Sequence, residues 1–461
     1  MNANSFVEVL PGGPVTGSIR PPGSKSLTNR ALLCAAFARS PSVLRGALAS
    51  DDTHVMIDSL RRIGITVRSE LGDETLHVDG IASPTHPAGR AGPIELFIGN
   101  SGTTIRFLTA ALSAFGGEYR LSGVDRMHER PIGDLVQAIT PVCDGTVQCQ
   151  SAGECPPVSI RSRGWRSGEV RVAGNVSSQF LSGLMMAAPI ADRHVRVHVV
   201  GELVSRPYVA MTATIMRDFG AGVQWNDEPS DSSSPLVFDI DGTSGYAGRE
   251  YKIEPDASAA SYFWAAAAIT GGTVTIDGLS PGAMQGDVGF VEALRRMGCE
   301  VTATDDSITV TGSSRLRGVD IDMNGISDTT QTLAVVALFA EGPTRIRGVA
   351  HNRFKETDRI GDLACELRKL GAVIDEHDDG LTIHPLLNVR DRTGATLDTY
   401  DDHRMAMSLS LAGLRIPGVK IANPACTAKT YPGYFADLER LIGRAHHWST
   451  PDWPVPAVGV T

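Results

Sequence analysis

The sequence lacks three features that would assign it to a broad class at once. It has no uninterrupted apolar run near the roughly 20 residues that a membrane-spanning helix needs, since even YFWAAAAITGG ends in glycines. Its net charge of −10 argues against a general basic surface for nucleic-acid phosphates. Its first residues, MNANSFVEVLPGG, lack the basic and apolar regions of a secretory leader, so we expect a cytoplasmic protein.

Metal and nucleotide motifs are missing as well. The chain has only seven cysteines, and its one cluster, Cys143, Cys149 and Cys155, has wider gaps than zinc sites use and no nearby histidine. We therefore predict no metal site. The phrase RPPGSKS contains the lysine and serine of a P-loop without its required glycines, which excludes that motif.

What the sequence does contain is a sixfold repeat across its 461 residues. Phrases such as SLRRIGITV and ALRRMGCEV combine late cations, a glycine and then a β-branched residue, as helix C-termini do. The repeats are 72 to 81 residues apart, and their glycines are Gly64, Gly145, Gly220, Gly298, Gly371 and Gly443.

A second phrase occurs once in each repeat, a polar cluster that leads into an apolar helix. The six versions are GSKSLTNRALLCAAFA, GNSGTTIRFLTAALSA, NVSSQFLSGLMMAA, PDASAASYFWAAAA, GISDTTQTLAVVALFA and YDDHRMAMSLSLAG. Hydroxyls and carboxylates are typical N-caps, and helices that are apolar all round are buried. We expect the six polar helix starts to meet in a cleft between two halves, where helix dipoles would attract anions.

Other charged phrases are DRMHERPIGDL, GELVSRPYV, NRFKETDRIGDL and CTAKTYPGYF. Taken singly, KETDR is typical of a solvated helix face and DDHR of an N-cap with a first-turn ion pair. Taken together and in order, these phrases cover almost the whole chain. In this respect the sequence resembles the EPSP synthases, a family of enolpyruvyl transferases.

The resemblance implies an α/β fold, a two-domain inside-out α/β barrel. Each domain would contain three βαβαββ units with buried helices, in agreement with the sixfold internal repeat. We expect an N-terminal domain over 23–245, a C-terminal domain over 1–22 plus 246–445, and a poorly ordered tail over 446–461. The first strand would belong to the C-terminal half.

The resemblance also implies a reaction without cofactors. The enolpyruvyl group of phosphoenolpyruvate would be transferred to the 5-hydroxyl of shikimate 3-phosphate by addition and elimination of phosphate, on the pathway to chorismate and aromatic amino acids. Such a reaction needs a base for the hydroxyl and an acid for the methylene carbon. We predict Asp328 as the base and Glu356 as the acid, with Lys25 as a further participant in proton transfer.

The family pattern assigns the two small-molecule substrates to overlapping sets of residues. Those predicted to contact shikimate 3-phosphate are Lys25, Ser26, Arg30, Ser177, Ser178, Gln179, Ser205, Tyr208, Asp328, His351 and Lys355. Those predicted to contact phosphoenolpyruvate are Lys25, Asn100, Gly102, Arg130, Gln179, Arg359, Arg404 and Lys429. His351 stands where the family usually has an asparagine, with Asn352 next to it.

Two other functions are also compatible with this sequence pattern. The first is the enolpyruvyl transferase that acts on UDP-N-acetylglucosamine, whose usual reactive cysteine is missing from DRMHERP. The second is a non-catalytic paralogue that binds anions. The resemblance further implies a monomer that binds neither nucleic acid nor membranes. Because Gly102 leaves space beside phosphoenolpyruvate, we expect inhibition by glyphosate.

Overall fold

The computed structural model describes most of the chain, and all structural statements refer to residues 5–69, 74–81, 92–225 and 236–449. The helices are α1 (Lys25–Ala36), α2 (Asp51–Arg62), α3 (Gly102–Phe115), α4 (Gly133–Ile139), α5 (Ser178–Ile190), α6 (Arg206–Asp218), α7 (Ala257–Thr270), α8 (Phe290–Arg296), α9 (Thr330–Ala337), α10 (Gly361–Lys369), α11 (His403–Ser410) and α12 (Tyr434–Ile442).

The strands are short and spread evenly between the helices. They are β1 (Phe6–Val9), β2 (Thr16–Ile19), β3 (Ser42–Arg45), β4 (Val67–Ser69), β5 (Thr75–Val78), β6 (Ile94–Phe97), β7 (Gly117–Ser122), β8 (Cys143–Cys149), β9 (Val158–Trp165), β10 (Gly168–Ala173), β11 (His194–Val200), β12 (Gly222–Trp225), β13 (Val237–Asp241), β14 (Glu250–Lys252), β15 (Thr273–Asp277), β16 (Glu300–Ala303), β17 (Ser307–Thr311), β18 (Leu316–Arg317), β19 (Asp320–Asp322), β20 (Ala340–Glu341), β21 (Thr344–Arg347), β22 (Ile374–His377), β23 (Gly380–Ile383), β24 (Thr396–Leu397), β25 (Val419–Ala422) and β26 (His447–Trp448).

Six four-stranded sheets share one topology among the described residues. In the clearest case β6 and β7 are parallel, whereas β7 with β9 and β9 with β8 are antiparallel. The same pattern holds in β14-β3-β5-β4, β10-β11-β13-β12, β2-β15-β17-β16, β19-β21-β23-β22 and β24-β25-β1-β26. In the sheets β6-β7-β9-β8, β10-β11-β13-β12 and β19-β21-β23-β22, a buried helix joins the parallel strands and a second helix precedes the antiparallel pair. The sixfold βαβαββ repeat is therefore confirmed.

The chain divides into two compact units. The N-terminal unit is Lys25–Ile253, and the C-terminal unit combines Met1–Ser24 with Glu254–Thr461. The chain passes between them twice, and the two passages exchange a strand. β2 precedes α1 in the sequence but pairs in parallel with β15, and β14 precedes α7 but pairs in parallel with β3.

The second passage lies later in the chain than the sequence suggested. Residues 246–253, which we assigned to the C-terminal domain, pair with the N-terminal unit: Tyr246 forms a bridge with Ala38, and Glu250 lies opposite Val43. The glycine-rich segment GTSGYAG, residues 242–248, therefore lies within the N-terminal unit, and the passage occurs at Ile253–Glu254. A parallel pairing over about 200 residues leaves no local signal in the sequence.

Both ends of the described chain complete the last sheet of the C-terminal unit. β1 pairs with β25 and with β26, so that Val7 lies opposite both Ile421 and Trp448. The Trp448 ring also packs on Phe435, with centroids 5.6 Å apart. The expectation of poor order is therefore wrong for residues 446–449, and the rest of the predicted tail, 450–461, lies outside the described residues.

The polar helix starts act as caps for buried helices. The side chains of Ser101, Ser177, Asp256 and Asp402 each accept a hydrogen bond from a backbone N–H in the first turn of α3, α5, α7 and α11 respectively. Every residue of α3 is buried. Such caps satisfy donors that a buried helix could not leave unpaired, each contributing about 1 kcal/mol.

The second helix of each repeat ends close to its glycine in five of six cases. Gly64, Gly220, Gly298, Gly371 and Gly443 lie one or two residues past a helix end with positive φ. Gly145 is the exception, because α4 ends at Ile139 and this glycine lies inside β8. A β-carbon there would overlap the backbone oxygen of Arg161, so the strand pairing itself requires glycine.

Small hydroxyl residues let the buried helices of the C-terminal unit approach closely. Oγ of Ser261 on α7 lies 3.1 Å from Oγ1 of Thr332 on α9, which in turn lies 3.2 Å from Oγ of Ser408 on α11. This hydroxyl chain runs through the early turns of all three helices. It links three helices, two of which have a predicted functional residue at their N-terminal end, Asp328 before α9 and Arg404 in α11.

Candidate active site

Two buried arginines flank the start of α3 in the N-terminal unit. Nη1 of Arg130 donates to the backbone oxygen of Asn100 at 3.1 Å and to its Oδ1 at 3.2 Å. Nη1 of Arg106 donates to Oε1 of Gln179 at 2.8 Å and to the backbone oxygen of Gly102 at 3.3 Å. Four residues predicted to contact phosphoenolpyruvate therefore lie, together with Arg106, in two hydrogen-bonded sets that meet at Gly102.

At Gly102 the two arginines leave no space for a side chain. A β-carbon on it would overlap Nη2 of Arg130 and lie only 2.7 Å from Nη1 of Arg106. Glycine at this first position of α3 therefore lets two guanidinium groups lie side by side over a helix N-terminus. Two cations and a positive helix end within one turn form a strong attractor for a phosphate or carboxylate.

Arg30 forms the centre of a second group in the same unit. It is 2% exposed, and Nε donates to Oγ1 of Thr212 at 2.7 Å, while Nη1 donates to the backbone oxygen of Ser26 at 2.9 Å. Nη2 lies 3.4 Å from the backbone oxygen of Tyr208. Burial lowers the pKa of Arg30 to about 10, which still leaves the guanidinium charged at neutral pH. Its guanidinium also lies over the Phe107 ring of α3, 5.2 Å from the centroid.

The remaining predicted residues of this unit lie at helix starts. Lys25 begins α1, and its Nζ lies 3.5 Å from Oδ2 of Asp52, a buried carboxylate on α2. Ser177 caps α5 and Ser178 is the buried first residue of that helix. Ser205, buried and with φ of +53°, stands directly before α6. The structure therefore places them all at N-terminal helix ends.

Arg359 organises the group in the C-terminal unit. It is 2% exposed and makes a two-point contact with the fully buried Asp402, at 2.7 Å from Nε and 3.1 Å from Nη2. Nη2 also lies 2.8 Å from Oε2 of Glu356, and Nη1 lies 3.5 Å from Oδ1 of Asp328. Burial alone would lower the pKa of Arg359, but the charges of Asp402 and Glu356 raise it above its ordinary value.

Arg404 and Lys429 extend this network. Nη2 of Arg404 lies 2.7 Å from Oδ2 of Asp328, and Nη1 donates to the backbone oxygen of the same residue at 3.0 Å. Nζ of Lys429 lies 3.0 Å from Oε1 of Glu356. Three cations and three carboxylates thus alternate in one buried cluster. An entering anion could exchange with the carboxylates for these donors without rebuilding the scaffold.

His351 and Lys355 lie in the loop that leads to this cluster. His351 is 6% exposed, and burial, followed by the charge of Lys355, lowers its pKa to about 3. Its imidazole is therefore neutral at physiological pH. Asn352 is fully buried and donates to the backbone oxygen of Ser327 at 3.0 Å, beside Asp328. The asparagine therefore supports the loop that carries Asp328, while His351 occupies the neighbouring position.

The roles of three residues in these groups were not predicted from the sequence. Arg106 was overlooked because it lies within an apolar phrase, although a lone arginine in a buried helix is itself a signal of function. Asp402 was noted in the DDHR phrase, but not as the partner of Arg359. Nothing in the sequence indicated the contact of Asp52 with Lys25, since an aspartate is common in the first turn of a helix.

Over the described parts of the chain, no group of three or more His, Cys, Asp or Glu side chains is placed to hold a metal ion. Cys143, Cys149 and Cys155 are free thiols, as are the other four cysteines. Within the same residues, none of the helices has both the length and the apolar character required to cross a bilayer.

Comparisons with known proteins agree on one family. The family described as EPSP synthase (3-phosphoshikimate 1-carboxyvinyltransferase) matches residues 9–438. The chain is 45% identical over 451 residues to the chloroplastic 3-phosphoshikimate 1-carboxyvinyltransferase of Arabidopsis thaliana, covering 95% of this chain and 84% of the relative. It is 45% identical over 433 residues to the enzyme of that name from Thiobacillus denitrificans, covering 92% and 97%.

Solved structures show the same fold. An EPSP synthase from Acinetobacter baumannii matches with a TM-score of 0.77 at 24% identity, covering 97% of this chain and 100% of that one. The enolpyruvyl transferase NikO from Streptomyces tendae matches with a TM-score of 0.70 at 22% identity, covering 96% and 98%. With the sixfold repeat, the cation groups and the sequence identity taken together, the chain belongs to the EPSP synthase family.

Proposed function

We propose that this chain transfers the enolpyruvyl group of phosphoenolpyruvate to the 5-hydroxyl of shikimate 3-phosphate and releases phosphate. The observation that carries the proposal is the 45% identity, over nearly the full length, to enzymes that bear the name of this reaction. The clustered cations support it, because each substrate carries one phosphate and one carboxylate and therefore needs several donors. Addition and elimination involve no change of oxidation state, so we assign no cofactor.

On the N-terminal unit, we assign shikimate 3-phosphate to the group around Arg30 and to the serines at the starts of α5 and α6. The residues are Lys25, Ser26, Arg30, Ser177, Ser178, Gln179, Ser205 and Tyr208. Hydroxyls and backbone N–H groups at helix starts are suited to phosphate oxygens. We assign phosphoenolpyruvate to the neighbouring group of Asn100, Gly102, Arg130 and Gln179, with Lys25 as a further contact. To this group we add Arg106, because its guanidinium lies against Gly102 and Gln179.

On the C-terminal unit, we assign phosphoenolpyruvate to the three cations of the buried cluster, Arg359, Arg404 and Lys429. Planar arginines hold carboxylate or phosphate at two points, while a lysine supplies a compact charge and a transferable proton. Asp328, Lys355 and His351 are assigned to the shikimate ring. A neutral imidazole at His351 can both donate and accept a hydrogen bond, which matches a hydroxyl as well as an amide would.

The proton steps are divided between the two carboxylates. Asp328, whose oxygens face two arginines, removes the proton from the 5-hydroxyl as this oxygen attacks C2 of phosphoenolpyruvate. Both oxygens of Glu356 accept from cations, so Glu356 must first receive a proton. Lys429, 3.0 Å away, is the nearest proton source, and Lys25 remains a further candidate. The methylene carbon takes up this proton during addition and becomes a methyl group. In the elimination, Glu356, now a carboxylate, takes one proton back from this methyl group as the C–O bond to phosphate breaks, which restores the double bond.

Phosphate release separates this function from its alternatives. The purified chain is mixed with phosphoenolpyruvate and either shikimate 3-phosphate or UDP-N-acetylglucosamine. We expect release only with the shikimate substrate. Release only with the sugar nucleotide would replace our substrate assignment, and no release with either, despite binding, would indicate an anion-binding paralogue. We further propose a cytoplasmic monomer, to be checked by light scattering during gel filtration.

A further inference from the structure

The loop before α11 has an uncommon backbone. Tyr400 and Asp401 are consecutive residues in the left-handed region, with φ of +53° and +56°. L-residues with a β-carbon rarely adopt this conformation, and for a bulky residue such as tyrosine it is an outlier that needs support from its surroundings. The loop ends at Asp402, the N-cap of α11 and the partner of Arg359.

The support for this backbone comes from α10. The hydroxyl of Tyr400 donates to Oε1 of Glu366 at 2.7 Å. Glu366 is fully buried, and its other oxygen accepts from the backbone N–H of Asp398 at 2.8 Å and from Nζ of Lys369 at 2.8 Å. One carboxylate therefore holds two points of the loop, Asp398 and Tyr400. We call the hydrogen bond between Tyr400 and Glu366 the tyrosine clamp.

The Tyr400 hydroxyl stays protonated at neutral pH and therefore remains a hydrogen-bond donor. Burial, followed by its hydrogen bond to Glu366, raises the pKa of Tyr400 above its usual value. A second support lies on the other side of the loop, where Nδ2 of Asn423 donates to Oδ1 of Asp401 at 3.1 Å. Both left-handed residues are thus held by side chains that are distant from them in the sequence.

The clamp closes a ring that contains two of the assigned phosphoenolpyruvate residues. Arg359 stands just before α10, Glu366 lies on that helix, and Tyr400 leads through Asp401 to Asp402, which returns to Arg359. Oδ1 of Asp402 also accepts from the backbone N–H of Arg404 at 2.8 Å. A shift of the loop would therefore displace the partner of Arg359 and the first turn of α11 together.

We infer that Tyr400 is a positioning residue for phosphoenolpyruvate, because its hydrogen bond to Glu366 holds a left-handed loop that sets Asp402, and through it Arg359 and Arg404. This inference rests on the proposed function and deepens it. Tyr400 acts through Glu366 and Asp402 and is assigned no contact with substrate. The KM for phosphoenolpyruvate should therefore depend on Tyr400 more strongly than the KM for shikimate 3-phosphate does.

Steady-state kinetics of Tyr400→Phe test the clamp. We expect the KM for phosphoenolpyruvate to rise about tenfold, as the loss of one hydrogen bond to a charged group implies, while the KM for shikimate 3-phosphate changes less than twofold. The control is Tyr119→Phe, which removes a 2.8 Å hydrogen bond from the Tyr119 hydroxyl to the backbone oxygen of Gly116. An unchanged KM for phosphoenolpyruvate, or equal rises for both substrates, would overturn the inference.

A second pair of variants tests the backbone part of the argument. Tyr400→Ala and Tyr400→Gly both remove the clamp, but only glycine adopts the left-handed region freely. We expect Ala to raise the KM for phosphoenolpyruvate as much as Phe does, and Gly to fall between Ala and the wild type. If only the lost side chain mattered, the KM for phosphoenolpyruvate would rise equally in both variants. Equal rises would therefore contradict the view that the clamp holds a strained backbone.

A measurement without turnover separates failure of the clamp from failure of the proposed function. Cys365, next to Glu366, is the one exposed cysteine of the seven and lies beside the Tyr400 hydroxyl. We expect iodoacetamide to label it at least threefold faster in Tyr400→Phe than in the wild type. Equal labelling would argue against the clamp. An inactive wild type that still shows this difference would instead contradict the proposed function alone.

Discussion

Gly102 and Arg130 are in direct contact, with the guanidinium lying where a β-carbon would project from the glycine. The same β-carbon would also lie 2.7 Å from Nη1 of Arg106. Because both arginines are at least 95% buried, neither can move aside into solvent at no cost. Even a methyl group at position 102 should therefore disturb the anion site, while the fold is retained.

We predict that Gly102→Ala raises the KM for phosphoenolpyruvate at least tenfold. Overpacking of a buried contact typically costs about 1 to 3 kcal/mol, and here the displaced groups are assigned to the substrate. The matched control is Gly168→Ala in the same unit, where a β-carbon would meet Val142 at an ordinary 3.4 Å. Steady-state kinetics with each substrate varied measure the effect. A normal KM in Gly102→Ala would contradict our assignment of Arg106 and Arg130.

Glyphosate should inhibit the wild type in competition with phosphoenolpyruvate. It carries a phosphonate and a carboxylate, and these should use the donors beside Gly102 that we assign to the substrate. In Gly102→Ala we expect its inhibition constant to rise by more than the KM for phosphoenolpyruvate. Inhibition assays at several phosphoenolpyruvate concentrations test this. Noncompetitive inhibition, or an inhibitor affinity that Gly102→Ala leaves unchanged, would place glyphosate elsewhere.

Asp328 should be essential for turnover rather than for folding. We predict that Asp328→Ala, or the isosteric Asp328→Asn, lowers kcat by roughly 10² to 10⁴, the usual effect of removing a general base. Circular dichroism should show a folded protein, because Arg359 keeps its contacts with Asp402 and Glu356. Near-normal turnover in either variant would remove Asp328 from the mechanism.

Asp402 should matter for stability as well as for activity. Its carboxylate is fully buried and holds the 2% exposed Arg359 at two points, so Asp402→Asn would leave a buried charge without its main partner. Breaking a buried pair from one side typically costs about 3 to 5 kcal/mol of unfolding free energy. The control is Asp398→Asn, whose exposed ion pair with Lys369 should contribute less than about 1 kcal/mol. Urea unfolding of both variants measures the difference.

Much of the architecture could be predicted because it follows local rules. Polar caps and apolar helices identified the six buried helices, and glycines identified most ends of the others. The strand exchange could not be predicted, since β14 and β3 are about 200 residues apart and each alone is an ordinary short strand. The boundary at Ile253 followed the same hidden pairing.

For the candidate site, too, the sequence predicts some features and not others. Residue types in charged phrases indicated which side chains matter, but not how they contact one another. Asp402 is the clearest case: its phrase is typical of an N-cap, and it does cap α11, yet the same oxygen atoms also hold Arg359. A contact between residues 43 positions apart depends on how α10 and α11 pack, which no local pattern specifies.

His351 gives the last prediction, a pH dependence of stability. Its pKa is about 3 in the folded chain and 6.5 ordinarily, so between these values the unfolded state binds more protons than the native state. The free energy of unfolding therefore rises with pH across this window and falls as the pH drops below about 6.5. Removing the imidazole with His351→Asn should reduce this fall, because asparagine does not titrate.

We expect melting temperatures at pH 7, 6 and 5 to decrease less in His351→Asn than in the wild type. His54→Asn, on the exposed side of α2, controls for the loss of a histidine as such. Parallel pH profiles for the wild type and His351→Asn would show that His351 takes up a proton in the folded protein as readily as in the unfolded chain.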